Sequence, residues 1–218
     1  MVFLLSLCGA GSQIVKYVAG HDKVFGLVRM FNPDEENNIP TFFSTFSLLA
    51  VTVLLQFISA YKKQKQDAFA VYWKIAAILF FFFALDEAAS VHELLIVPMR
   101  QLFHAKGIFY FAWVIPGIFL LAVLSLAYIR FFLHLTTKAK GLLLISTSLI
   151  VGGGVGFELL DGWYAFNYGT NNLGYGLLAT TEESLEMAGM VTFIYVLLRY
   201  ISTHIHETRI CYKDADFQ

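Results

Sequence analysis

The sequence predicts an all-α integral membrane protein, a single bundle of about six transmembrane helices across residues 1–218. Composition comes first: 58% of the residues are hydrophobic and only 14% are charged, where a soluble domain carries about 25% charged residues. Mean hydropathy is +0.66. The apolar residues are also gathered into runs of roughly 20, the length a helix needs to cross the hydrocarbon core. Finally, Lys and Arg gather in the segments between those runs or near run ends, as Lys16, Arg130 and Arg199 do.

Taken in order, the runs are 1–18, 41–61, 75–97, 108–135, 141–165 and 177–201. The first is short and holds Gly9, Gly11, Ser12 and Lys16. Its LSLCGAGS stretch has the look of a cleavage region, yet no basic segment precedes it and Leu7 stands before Cys8, so a retained helix is expected. Pro116-Gly117 is expected to kink the fourth run. In the fifth, Gly152, Gly153, Gly154 and Gly156 allow a neighbouring helix to approach closely. Trp73 and Trp163 stand near run ends, as interfacial aromatics do. The connection 19–40 ends in NPDEENNIP and reads as a solvated outer loop, with VFGLVRMF before it as a short interfacial helix.

Ten of the fifteen Lys and Arg fall on one side: Lys62, Lys63, Lys65, Lys74, Arg130, Lys138, Lys140, Arg199, Arg209 and Lys213. The excess of positive charge on cytoplasmic loops then puts both termini in the cytoplasm. No basic stripe or reading motif supports nucleic-acid binding. Cys8 and Cys211 lie at opposite ends of the chain and indicate neither a disulfide framework nor a thiolate metal site.

The functional signal is acidic. Eight of the sixteen acids, Asp86, Glu87, Glu93, Glu158, Asp161, Glu182, Glu183 and Glu186, lie inside apolar runs, with His92 as their one basic neighbour. Each ionised acid near the bilayer centre costs about 2.5–3.5 kcal/mol on insertion scales. Eight such costs exceed the ~5–15 kcal/mol that holds a fold together, so protons, metal ions or a partner's cations must neutralise them.

The topology places all nine groups between the midplane and the outer face, with His92 and Glu93 ~8–10 Å beyond Asp86 along one helix. Asp86, Ser90 and Glu93 share a helical face at i, i+4, i+7 spacing, and acid-x-x-acid pairs recur at Glu158/Asp161 and Glu183/Glu186. Such pairs on facing helices build dinuclear iron or manganese centres; an oxygen-rich set with one imidazole suits Mn, Fe, Mg or Ca, with Zn also open. Against that stands the plainer reading in which Asp161 and Glu93 reach the headgroups and stay hydrated.

The strings FFALDEAASVHE (82–93), FNPDEENNIPTFFS, FELLDGWY and EESLEMAG resemble a family of small bacterial polytopic membrane proteins with an LDExxSxHE-type motif. The resemblance runs across most of the chain. It implies a shared acidic site and the bacterial inner membrane, and it names no reaction. Alkaline ceramidases and their kin are similar in multi-span size, but they use several histidines around zinc, whereas His92 is the one histidine among the acids here.

The expectation from these residues is a metal-dependent membrane enzyme, oxidoreductase or hydrolase, acting on a lipid-like substrate. Asp86, Glu87, His92, Glu93, Glu158, Asp161, Glu182, Glu183 and Glu186 are its candidate ligands, and Glu87, His92 and Glu186 its candidate catalytic groups. A cation- or proton-coupled transporter using the same acids is the first alternative. A non-catalytic subunit of a larger complex, or a homo-oligomer, is the second.

Overall fold

The computed structural model describes residues 1–35 and 37–205. The expectations that rest on Arg209, Cys211 and Lys213 lie outside the described residues. Among those described, the chain is helical with no strand. The helices are α1 (Val2–Tyr17), α2 (Leu27–Phe31), α3 (Ile39–Gln64), α4 (Ala70–Ala89), α5 (Ile96–Phe103), α6 (Val114–His134), α7 (Thr137–Val151), α8 (Glu158–Tyr168) and α9 (Leu173–His204).

Four helices are long and apolar enough to cross a membrane: α3, α6, α9 and the continuous α7–α8 rod, 137–168. A fifth exists if α4 and the segment Val91–Phe103 count as one span, and these are bent against each other by 79°. At 16 residues α1 is apolar but shorter than these candidate spans. It runs beside the first half of α9, where Ser184 donates to Ser6 at 2.7 Å and Gly176 lies against Gln13.

Helix boundaries follow local chemistry. Asn38 caps α3 by accepting from the Thr41 N–H at 2.8 Å, with Pro40 in the first turn where its missing N–H costs nothing. Asn172 caps α9 in the same way through Tyr175 at 3.0 Å. Between α3 and α4, Asp67 accepts from Lys62 at 2.7 Å and from the Phe69 N–H at 2.8 Å. Burial works to raise the Asp67 carboxyl, but these bonds outweigh it and hold it below the usual carboxylate range.

Helix α9 is central. It packs on α1, α3, α7 and α8, and Phe193, Val196 and Leu197 meet Val51, Leu55 and Ile58 of α3 and Trp73 of α4. Trp73 is therefore a core residue, only 7% exposed, rather than an interfacial anchor; Trp163 keeps its outward position at 46%. Gly189 lets α7 approach so closely that a Cβ there would lie 2.8 Å from the Ile150 nitrogen.

Helix α6 is held mainly by its two ends. At one end Phe131 stacks on Tyr72 and meets Trp73 edge-on, while Tyr128 donates to the Tyr72 carbonyl at 2.8 Å. At the other end Trp113, the residue before the helix, donates to Glu158 at 2.7 Å. Pro116 falls in the first turn of α6, where proline is accommodated, so the expected mid-span kink is absent and the helix begins at Val114 instead of 108.

Candidate functional site

Along α4 the sequence suggested one straight span to residue 97. The helix instead ends at Ala89, because Ser90 adopts a left-handed conformation (φ 49°, ψ 41°) and turns the chain into a 3₁₀ segment, Val91–Leu95. The Asp86 carboxylate holds that turn: its Oδ1 accepts the His92 N–H at 2.7 Å, and its Oδ2 lies 3.0 Å from His92 Nδ1. His92 thus folds back onto Asp86 rather than standing a turn or two farther out, and the shared Asp86–Ser90–Glu93 helical face does not form. Glu93 lies on the exposed side of the turn.

Helix α7 passes into α8 through a π segment, Gly152–Phe157, directly before Glu158. Such wide turns often mark functional positions in helices. Here the wide turn aims Glu158 toward α6, where it accepts from Trp113, whose ring also lies 4.8 Å from the His92 ring. Gly153 lies against the backbone of α9 at Glu182 and Glu186, and Gly154 against the Glu186 carboxyl.

Glu182 shares a side-chain hydrogen bond with Glu158 and another with Asp161. Ionised carboxylates can only accept hydrogen bonds, so this row of three needs a proton or another cation within it. Asp161 is 1% exposed and its Oδ1 has no hydrogen-bond partner.

All nine groups singled out from sequence line one cavity of about 910 Å³: Asp86, Glu87, His92, Glu93, Glu158, Asp161, Glu182, Glu183 and Glu186. Asp34 lines it as well, and no Lys or Arg does among the described residues. Beyond the acids the cavity continues between α4, α6 and α9 along an apolar wall of Leu79, Phe80, Leu121, Leu124 and Phe193, as far as Tyr72 and Tyr200.

The metal expectation gains no support from the geometry. Among the described residues, no three His, Cys, Asp or Glu side chains converge to hold a metal ion. The geometry shows why: Asp86 is turned onto His92, Glu158 onto Trp113 and Glu182, and Asp161 onto Glu182. The acids pair off instead of facing a common point. The acid-x-x-acid pairs line one cavity, and among the described residues no three of the side chains converge on one point.

Three lining residues were not anticipated. Asp34 belongs to the stretch 32–38, expected to be a solvated loop. Asp34 is exposed, yet its N–H donates to Asn32 at 3.2 Å, and Asn32 and Asn38 are both buried, with Gln13 donating to Asn32 and Asn38 donating to the Asn32 carbonyl at 2.6 Å. Partial burial pushes the Asp34 carboxyl up to about 6, opposed by Lys16 and a hydrogen bond with Tyr175, while Glu35 and Glu93 add to the rise. Trp113 and Tyr175 complete the rim. The one sequence signal for Asp34 was the string FNPDEENNIPTFFS; nothing marked the other two.

Comparison with curated proteins and with solved structures gives no match. A family model matches residues 1–201, nearly the whole chain, and the protein belongs to the family described as Domain of unknown function (DUF8692).

Proposed function

We propose that this protein is a membrane enzyme that admits a lipid-like substrate into the cavity, polar end among the carboxylates and chain along the apolar wall. One observation carries the reading: acids at one end and apolar side chains along the rest line a single continuous space of about 910 Å³. That volume falls in the range of ligand sites, ~300–1,000 Å³. In this reading the acid end faces the outer leaflet, both termini are cytoplasmic, and α1 is the sixth hydrophobic element.

The reactive group is His92. A carboxylate accepting from Nδ1 fixes the ring and leaves Nε2 as the basic nitrogen, the relation that equips histidine for proton transfer. The Asp86–His92 contact at 3.0 Å has that form, and the Trp113 ring packs on the imidazole. His92 then takes a proton from water or from a hydroxyl of the substrate, and the Glu158–Glu182–Asp161 row receives or returns protons. The metal-dependent form of the reading, iron or manganese included, rests on residue types alone, and no step here depends on it.

Native mass spectrometry of protein released from membranes in a mild detergent tests the binding half. A co-purifying amphiphile is expected with the wild type and is lost with Leu124→Trp, which fills the apolar arm. His92→Asn keeps the amphiphile and loses turnover of it. No bound amphiphile in either protein, or full turnover by His92→Asn, sinks the proposal.

A transport reading draws on the same space, which reaches Tyr200 near the opposite end of α9. Ion flux in proteoliposomes abolished by Glu186→Gln would favour it over the enzyme.

A further inference from the structure

Resting on the amphiphile reading above, the chemistry of the acid end defines the head group it takes. That end presents carboxylates and aromatic faces, and its donors are already engaged: the Trp113 indole N–H on Glu158 and the His92 imidazole on Asp86. Asp161 is only 1% exposed, lines the cavity and offers Oδ1 with no donor. Glu158 and Glu182 adjoin it through the shared hydrogen bonds, and Phe111, Trp113 and Tyr175 line the same end. Among the described residues, no Lys or Arg reaches the cavity to supply a counter-charge.

An anionic head would meet repulsion from Glu158, Asp161 and Glu182. A neutral hydroxyl would satisfy one acceptor and leave the remaining charge uncompensated. A metal ion needs several oxygens at about 2.0–2.6 Å, and no set of three converges for one among the described residues. An ammonium group fits each count: it donates to separate carboxylates at about 2.7–2.9 Å, and aromatic faces attract it.

We propose that the cavity binds a cationic amphiphile, its ammonium head seated between Asp161, Glu158 and Glu182 beside the aromatic rim and its alkyl chain running toward Trp73. From Asp86 to Trp73 along α4 is thirteen residues, or ~20 Å of apolar wall at ~1.5 Å per residue.

The test uses the full chain in nanodiscs of zwitterionic lipid, with hexadecylamine, hexadecanol and hexadecanoic acid as probes and calorimetric titration as the readout. Hexadecylamine is expected to bind at least tenfold more tightly than hexadecanol, and hexadecanoic acid least. Asp161→Asn and Glu182→Gln should each erase most of the preference for the amine over the alcohol. An unaltered helical circular-dichroism spectrum and melting transition show that the variants are folded. Leu124→Trp should weaken all three probes.

Equal binding of amine and alcohol overturns the ammonium assignment and leaves the amphiphile reading standing. So does tightest binding of the acid once Mn²⁺ or Ca²⁺ is added, an outcome that would assign the site to a metal. Absence of binding by all three probes overturns the amphiphile reading itself.

Discussion

Two adjacent glycines offer a sharp test of how α9 carries its acids. Gly152 and Gly153 open the same π segment, yet a Cβ added at Gly152 meets nothing within 4 Å. A Cβ at Gly153 would lie 2.7 Å from Glu186 Cγ, 3.0 Å from the Glu182 carbonyl oxygen and 3.2 Å from the Glu186 nitrogen. Two of those three atoms are backbone and cannot rotate away, so helix α9 itself must move. Replacing a helical glycine by alanine gains about 1 kcal/mol through backbone entropy. Overpacking costs about 1–3 kcal/mol, and backbone contacts put Gly153→Ala at the upper end. The expected outcome is stabilisation by ~1 kcal/mol for Gly152→Ala and destabilisation by ~2 kcal/mol for Gly153→Ala. For a chain of this size that separates the two melting temperatures by about 6–12 °C. Melts of both variants in one detergent, followed by tryptophan fluorescence, measure it. Equal shifts, or a more stable Gly153→Ala, would refute the close approach of α7 to α9 on which the position of Glu186 depends.

Three further expectations follow from the loops and turns. Asp34 holds its proton more tightly folded, near pH 6, than unfolded, near 3.8; the stretch 32–38 is therefore most firmly seated below about pH 4 and loosens as pH rises through 6. Hydrogen exchange at Asn32 and Asn38 should be slower at pH 5 than at pH 7 after correction for intrinsic rates, and Asp34→Asn should remove the difference; greater protection at pH 7 refutes it. Asp67 has the opposite sign, its bonds to Lys62 and the Phe69 N–H being present at neutral pH and lost as pH falls through its lowered value. Asp67→Ala should cost about 1–2 kcal/mol at pH 7 and little in acid, read by denaturant titration at both. At Ser90, whose φ is +49°, Ser90→Gly should raise the melting temperature and Ser90→Val lower it, since left-handed backbone costs ~1–2 kcal/mol for a side-chain-bearing residue; equal melting of the two would remove the strain argument.

What was legible in the sequence was what hydrophobicity and charge record directly. Long apolar helices follow from runs of Leu, Phe, Val and Ile, and the gathering of acids on one cavity follows from their depth in three runs. What stayed hidden depends on single conformations. Ser90 in the left-handed region turns α4 aside, yet serine carries no strong signal for that backbone. The bend creates the Asp86–His92 contact that straight-helix spacing placed ~8–10 Å apart. Trp73 near the start of an apolar run reads as interfacial, although Phe131 and Tyr200 bury it from other helices. The stretch 32–38 reads as solvated because its residues are polar. Asn32 and Asn38 are buried because each amide finds a partner, and pairing of that kind lies beyond reach of composition.

The end-held attachment of α6 gives the cavity an energetic consequence. Between its two ends α6 leaves an open space of about 910 Å³ with an apolar wall. In the proposed reading that wall meets acyl or alkyl chains instead of water, which removes its apolar surface from water. A chain drawn from the bilayer satisfies the apolar arm but brings nothing to Asp161 and its neighbours, which need positive charge whatever lies along the wall. The two demands are independent, and one molecule that meets both is held more firmly than a chain and a cation arriving separately, because the second contact is made within an already bound molecule. The same reasoning predicts that Leu124→Trp, by filling the arm, stabilises the protein stripped of amphiphile while weakening amphiphile binding. A fall in both would show that the larger indole side chain clashes with its surroundings instead of replacing a chain.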